Sequence, residues 1–300
     1  SQAGGTYEIL TGAADIDQIG NLQVTWEKLE QNLKDRVVNV LDFGADPTGT
    51  NPSQSAFQSA ISYLGSGGGI IRVPKGTYRM DLVGSYYSQR ITTSNVYVVG
   101  DGPGVSILKQ NTNDTNLLYF DGTTTVLKNV GVIGLTFEGI NPLNPPQDQP
   151  GSLKGALLVF YGKTASTDPR DQDYLTDVLI WNCEFKNPCR DAIILGYARK
   201  VRISGCTWNY YKDGGTVPGP LTVGRVGIFS GGAAVLDVSV TGNNFNGNVF
   251  GTGTSQQGAD GFVWFSKGGG FSVTGNTIRN YKLEAVQMNG GPAVVSSNAF

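Results

Sequence analysis

The chain has 300 residues, 39% of them hydrophobic, with 22 basic and 24 acidic side chains, a net charge of −2 and 43 glycines. Charge is low and glycine high against an average soluble domain, which argues for a packed, turn-rich fold and against disorder. Near-neutral charge gives no reason to expect a nucleic-acid or membrane-surface partner, and no apolar run reaches the ~18 residues of a membrane span. Histidine is absent, which removes Ser-His-Asp and Cys-His catalysis and His-based metal sites in one step. Acid–base chemistry must then come from carboxylates, Lys, Tyr or Cys. Three cysteines exclude a full disulfide framework.

Residues 1–36 form a separate N-terminal segment. Leu22, Trp26, Leu29 and Leu33 follow the 4-3-4 spacing of a short coiled-coil seam, read either as one amphipathic helix or as a neck where several chains meet. The start Ser1-Gln2-Ala3-Gly4 has neither an initiator Met nor a signal-peptide pattern, so a processed or trimmed chain is expected. From residue 37 to 300 one repetitive domain is expected. It opens with a strand at Val37–Val40 and a turn over Phe43–Gly49. A helix is predicted over about 53–64, with Ser53 as N-cap and Ala56, Phe57, Ala60, Ile61 and Leu64 as its apolar stripe. The glycine run 65–69 ends it, and Ile70–Tyr78 reads as a buried strand closing in a turn.

The opening VVNVLDFGADPTG, a short helix and GGGIIRVPKGTYRM resemble the start of the pectate-lyase-like right-handed parallel β-helices. That resemblance implies an all-β solenoid whose helix caps one end. Thr48-Gly49-Thr50-Asn51 stands where the family often carries an acidic run.

Internal repetition supports the same fold independently. Segments ending at Phe137, Phe185, Trp208, Phe245, Ile278 and Phe300 superpose, with two of the spacings near 22 residues. The longer coils are expected to carry loops at Asn141–Gln149, Thr164–Tyr174, Asp213–Gly224 and Asn246–Gly258. Parallel stacking at ~4.8 Å puts Cys183, Cys206, Asn243, Asn276 and Asn298 in one ladder. The two cysteines read as small buried hydrophobes there, and Cys189 falls in a turn.

A second column precedes the next strand of each coil: Lys154, Asp191, Val226, Asp260 and Glu284. Stacked carboxylates repel, a cost that a purely structural column tends to avoid. Such acids suit glycosidic cleavage, in which one carboxyl protonates the leaving oxygen while another activates water or attacks the sugar. Asp260 and Glu284, on consecutive coils, are the expected catalytic pair with backbones ~5 Å apart. Asp191 is the reserve, roughly 10 Å from Asp260. Resemblance to polygalacturonase-like members implies catalytic aspartates just before a strand of this sheet, as in Asp191-Ala-Ile-Ile and Asp260-Gly-Phe-Val. Where those enzymes carry Gly-His-Gly, this chain has Gly224-Arg225-Val226-Gly227, which makes Arg225 a candidate for binding an acidic sugar. Tyr210, Tyr211, Trp264 and Lys154 complete the expected substrate-binding set, with Tyr161 and Phe265 as further aromatic candidates. No cofactor is expected, although the loop acids Asp168, Asp171 and Asp173 leave Ca²⁺ open.

The neck, the capping helix and the start of the chain together resemble bacteriophage tailspikes. That resemblance implies a homotrimer on the virion tail, extracellular, binding and hydrolysing a bacterial surface polysaccharide. A polysaccharide lyase of the same fold, a non-catalytic receptor-binding fibre and a structural repeat protein are the alternatives. The chain ends at Phe300 inside a coil-forming segment with no cap in sequence. A longer spike, or another chain over the last coil, is therefore expected.

Overall fold

The computed structural model describes residues 36–112, 115–140, 155–163, 174–188, 191–210, 226–247 and 259–300. The expected neck, Lys154, Tyr211, Arg225, Cys189 and the acidic loop 168–173 lie outside these residues. Each coil lays down three parallel strands, and equivalent strands stack into three faces. The first face runs from Tyr87–Ile91 through Asn116–Asp121, Leu158–Tyr161 and Ile193–Gly196 to Gly261–Gly269 and Glu284–Met288. The second begins with Val37–Asn39 and Gly69–Val73 and passes through Val96–Gly100, Lys128–Ile133, Leu175–Trp181 and Ala198–Ser204 to Phe271–Thr274 and Ala293–Ser296. The third stacks Gly76–Met80 up to Thr277–Arg279. One long strand, Val226–Thr241, bends from the first face into the second. Successive parallel strands joined by crossovers wind right-handed, and the result is a right-handed parallel β-helix.

The corner between the second and third faces sets the register of the whole stack. From Lys128–Ile133 onward a left-handed residue turns the chain there in each coil, among them Asn182 (φ 51°), Gly205 (φ 63°), Gly242 (φ 64°) and Gly275 (φ 66°). Glycine and asparagine enter that conformation at least cost. The next residue joins the expected ladder. Asn243 Oδ1 accepts the Cys206 N–H at 2.9 Å, Asn276 Oδ1 accepts the Asn243 N–H at 2.9 Å, and Asn298 Oδ1 accepts the Asn276 N–H at 2.9 Å. The amide NH₂ groups donate both ways, from Asn243 onward to the Asn276 oxygen at 3.0 Å and from Asn276 back to the Val240 carbonyl at 2.9 Å. A buried polar column is thereby satisfied without charge. Cys183 and Cys206 sit in the same column as free, buried thiols, and burial pushes the Cys183 thiol well above its ordinary value.

Large apolar residues of the third face stack behind the ladder. Phe137 and Phe185 rings are 5.3 Å apart, and Phe185 and Trp208 are 5.0 Å apart. The column continues through Phe245 to Ile278 by strand pairing.

The helix spans Gln54–Leu64 and closes the N-terminal end with Ala56, Phe57, Ala60 and Leu64 buried; Ile61 packs half-buried beside them. Ser53 occupies the N-cap position but caps no helical N–H. Its buried hydroxyl instead accepts the Asp46 N–H at 3.0 Å, tying the preceding turn to the helix. The expected single strand at 70–78 is two strands, Gly69–Val73 and Gly76–Met80, because Pro74 and Lys75 turn the chain from the second face to the third.

In that preceding turn, the Asp46 carboxylate accepts the Thr48 hydroxyl at 2.7 Å and the N–H groups of Thr48 and Asn51 at 2.8 and 2.7 Å. The Thr48 hydroxyl and the other bonds lower its pKa from 3.8 to about 2. A depressed carboxylate stabilises the fold fully above its unfolded value and loses that contribution as pH falls through the folded one. Between pH 4 and 2, the thermal midpoint of Asp46→Asn should therefore fall less than that of the wild type. Equal slopes in a melting series across that window would remove Asp46 from the acid response.

Candidate functional site

Strand pairing fixes what lies at the corner where each coil enters the first face. Ile193 pairs with Ile228, Ile228 with Val263, and Val263 with Val286. Two residues earlier, Val226 pairs with Gly261 and Gly261 with Glu284. The expected column is therefore corrected: it runs Asp191, Val226, Gly261, Glu284, and Asp260 stands one residue earlier, level with Leu283. The physical reason is Phe262. Its neighbours in register, Ala192, Gly227 and Ala285, are small, and Phe262 fills the space they leave, packing on Trp208 at 5.0 Å and Phe245 at 4.9 Å. A Cβ on Gly227 would come within 2.9 Å of the Phe262 ring.

Asp260 and Glu284 still lie on consecutive coils, with Cα atoms about 6 Å apart from one strand spacing and one residue step. Their surroundings differ. The Asp260 side chain is 14% exposed, and one of its oxygens is 3.8 Å from the Lys282 ammonium. Glu284 is exposed. Beside Glu284 lies Trp264, half-buried, whose indole N–H donates to the Glu284 carbonyl at 3.3 Å. A Cβ at Gly261 would sit 2.4 Å from the Trp264 Nε1 and 2.2 Å from the Glu284 carbonyl oxygen, so this position has room for glycine alone. The Asp260–Lys282 pair and the Trp264 indole thus lie at one corner, with the backbone of Glu284 on the next coil.

Asp191 is placed differently. It is 2% exposed, and its Oδ1 accepts the Val226 N–H of the next coil at 2.9 Å. That carboxylate closes the backbone at the coil junction. Tyr210 is a second correction. It is 1% exposed and packs edge-on against Phe245 at 5.8 Å, so it belongs to the core and offers no face to a sugar. Of the adjacent pair, Phe265 is core and Trp264 faces outward, as strand alternation requires. Tyr161 lies half-buried against the Tyr197 ring at 5.7 Å. Sequence reasoning missed Lys282, although it stands two residues before Glu284 and the pairing of coils carries it to Asp260.

Among the described residues, no group of three or more His, Cys, Asp or Glu side chains is placed to hold a metal ion, and no helix is long and apolar enough to cross a membrane.

This architecture defines the class: a right-handed parallel β-helix with a pectate-lyase-like opening and a carboxylate-bearing first-face corner. Over residues 37–141 the chain matches the sequence model of the rhamnogalacturonase A/epimerase, pectate lyase-like family. Among solved structures, it is similar to the tailspike protein of E. coli bacteriophage HK620, determined as a double mutant in complex with a pentasaccharide. That likeness has a TM-score of 0.58 at 14% identity, over 92% of this chain and 53% of the tailspike. It is also similar to the family 28 exopolygalacturonase of Yersinia enterocolitica, with a TM-score of 0.50 at 15% identity, over 88% of this chain and 58% of that one. The chain spans a little over half the length of either. No curated protein matches it.

Proposed function

We propose that this β-helix binds a bacterial surface polysaccharide and hydrolyses it internally, in the manner of a tailspike depolymerase. The observation that carries the reading is the corner at which Asp260 and Glu284 stand on consecutive coils, with the Trp264 indole on the Glu284 carbonyl and Gly261 left bare beside it. An aromatic face and two carboxylates within one sugar's reach are what glycosidic hydrolysis needs. Asp260, with Lys282 as its counter-charge, supplies the carboxylate that activates water or attacks the sugar, and Glu284 supplies the proton to the leaving oxygen. The likeness in fold to a tailspike solved with a pentasaccharide supports glycan binding in this reading. In this reading the short coiled-coil seam at Leu22–Leu33 joins three copies on a virion tail.

The test is incubation with a panel of capsule and O-antigen polysaccharides, following chain length by size-exclusion chromatography. One polysaccharide should shorten to oligosaccharides without gaining ultraviolet absorbance. Trp264→Ala should raise KM for it by about tenfold or more, the scale of one lost stacking contact. Products that absorb in the ultraviolet would identify a lyase instead. Binding without shortening would identify a receptor fibre.

A further inference from the structure

A second polar groove lies on the second face, away from the Asp260–Glu284 corner. It encloses about 610 Å³ and is lined by Tyr97, Asp177, Leu179, Lys200, Arg202 and Asp237. Strand register explains its shape. Tyr97 pairs with Gly131, Gly131 with Leu179, Leu179 with Arg202, and Arg202 with Ser239. These five positions form one row running across successive coils. Gly131 cannot carry a side chain, because its Cβ would lie 2.1 Å from the Leu179 carbonyl oxygen. The row is therefore interrupted beside Tyr97, leaving a gap one side chain thick between an aromatic residue and an aliphatic one.

One edge of the groove is a column of left-handed residues at the entry to the second face. Asn95, Asn129, Asp177, Lys200 and Asp237 have φ of 60°, 54°, 59°, 51° and 51°. Asparagine and aspartate accept this conformation readily; lysine does so at a cost. Lys200 nevertheless occupies it, 4.0 Å from the Asp177 carboxylate, with both side chains about half exposed. Arg202, two residues on, is exposed and makes no ion pair or hydrogen bond among the described residues. The Arg202 guanidinium, beside the Lys200–Asp177 pair, stands at one end of the groove and the half-buried Tyr97 at the other, with Gly131 and Leu179 between them. A groove of balanced charge thus has one unpaired cation and an aromatic wall. Guanidinium groups bind carboxylates in a planar, two-point geometry, and the flanking Asp177, Asp237 and Ser239 can accept or donate hydrogen bonds to hydroxyls.

We infer that this groove is a second glycan-binding site, selective for a sugar that carries a carboxylate, such as a hexuronate or a nonulosonate. The inference rests on the glycan-binding reading above but not on the catalytic pair. Arg202 and Lys200 hold the sugar carboxylate, Tyr97 packs against the ring, and the aspartates take its hydroxyls. Such a site holds a charged stretch of polysaccharide on one face while another stretch occupies the first-face corner. Effective concentration then raises retention without a new contact at the corner.

Saturation-transfer NMR on the full chain tests this with glucuronate, galacturonate and N-acetylneuraminate, each beside a neutral counterpart (glucose, galactose and methyl N-acetylglucosaminide). At least one acid should bind more tightly than the neutral sugars, and Arg202→Gln should weaken that acid about tenfold, the loss of one charge-assisted contact. Tyr97→Ala should weaken it as well, whereas Asp260→Asn with Glu284→Gln should leave it unchanged. Equal signals for acids and neutral sugars, or an acid preference that survives Arg202→Gln, would overturn the inference. So would a change in sedimentation on Arg202→Gln with sugar binding intact, which would make the face a contact between copies. None of these results depends on whether any polysaccharide is cleaved, so the two readings can fail separately.

Discussion

Glu284→Gln should slow polysaccharide cleavage by about 10²–10⁴-fold, the usual worth of a positioned general acid. Gln keeps the size and hydrogen-bonding shape of the side chain but cannot give up a proton. Glu284 is exposed and its backbone is fixed by pairing with Gly261, so the substitution should leave folding unchanged. Asp260→Asn should cost at least as much, because it removes the carboxylate and leaves the Lys282 ammonium without its counter-charge at 3.8 Å. The double variant should be little slower than the weaker single one, since groups acting in one step are not additive. Single-turnover assays on the polysaccharide that the wild type shortens would measure all three. Wild-type rates in the double variant would remove both residues from the chemistry.

The largest expected effect on stability is at the aromatic column. Phe185 is fully buried and stacked between Phe137 and Trp208, at 5.3 and 5.0 Å with interplanar angles of 9° and 19°. Phe185→Ala removes a whole ring from a site whose neighbours are held by strand pairing above and below, so collapse into the void is restricted. The cost should be about 3–5 kcal/mol, read from the shift in denaturant midpoint at unchanged slope. Phe185→Leu, which fills most of the volume, should recover more than half. A loss under 1 kcal/mol for the alanine variant would mean that the column is not packed as described.

The ladder and the aromatic column were legible in the sequence because both lie at the corner between the second and third faces, where coil after coil keeps the same length. Val240–Phe245 and Val273–Ile278 superpose without a gap, and the structure pairs them so. The acidic column differs from its sequence expectation by one residue at Asp260 because the first-face corner has no such constraint. There a small residue follows the column position in three coils, Ala192, Gly227 and Ala285, and the glycine after Asp260 looked equivalent. Phe262 occupies that place instead. Exchange of a small side chain for a ring across neighbouring coils preserves total volume while erasing the pattern that a sequence comparison depends on. Tyr210 differs from its expectation for a related reason: an aromatic residue at the root of a loop has the sequence context of a binding residue, whereas its ring packs on Phe245. Lys282 had no pattern of its own, since its importance lies in a partner 22 residues away.

The ladder corner also divides the solenoid into a part that evolution can edit and a part that it cannot. From Lys128–Ile133 onward, one residue in left-handed conformation separates the second face from the ladder position in each coil, and an added residue there would shift the amide column by one place and break every bond that it makes. Chain connections of very different length, such as 139–157, 187–192, 210–225 and 247–260, all leave the third face and return to the first, opposite that corner. New recognition loops can therefore be grafted beside Asp260, Trp264 and Glu284 while the stacking rail stays untouched. If the chain binds a glycan as proposed, a change of target becomes a matter of exchanging segments at one corner of a fixed triangular prism.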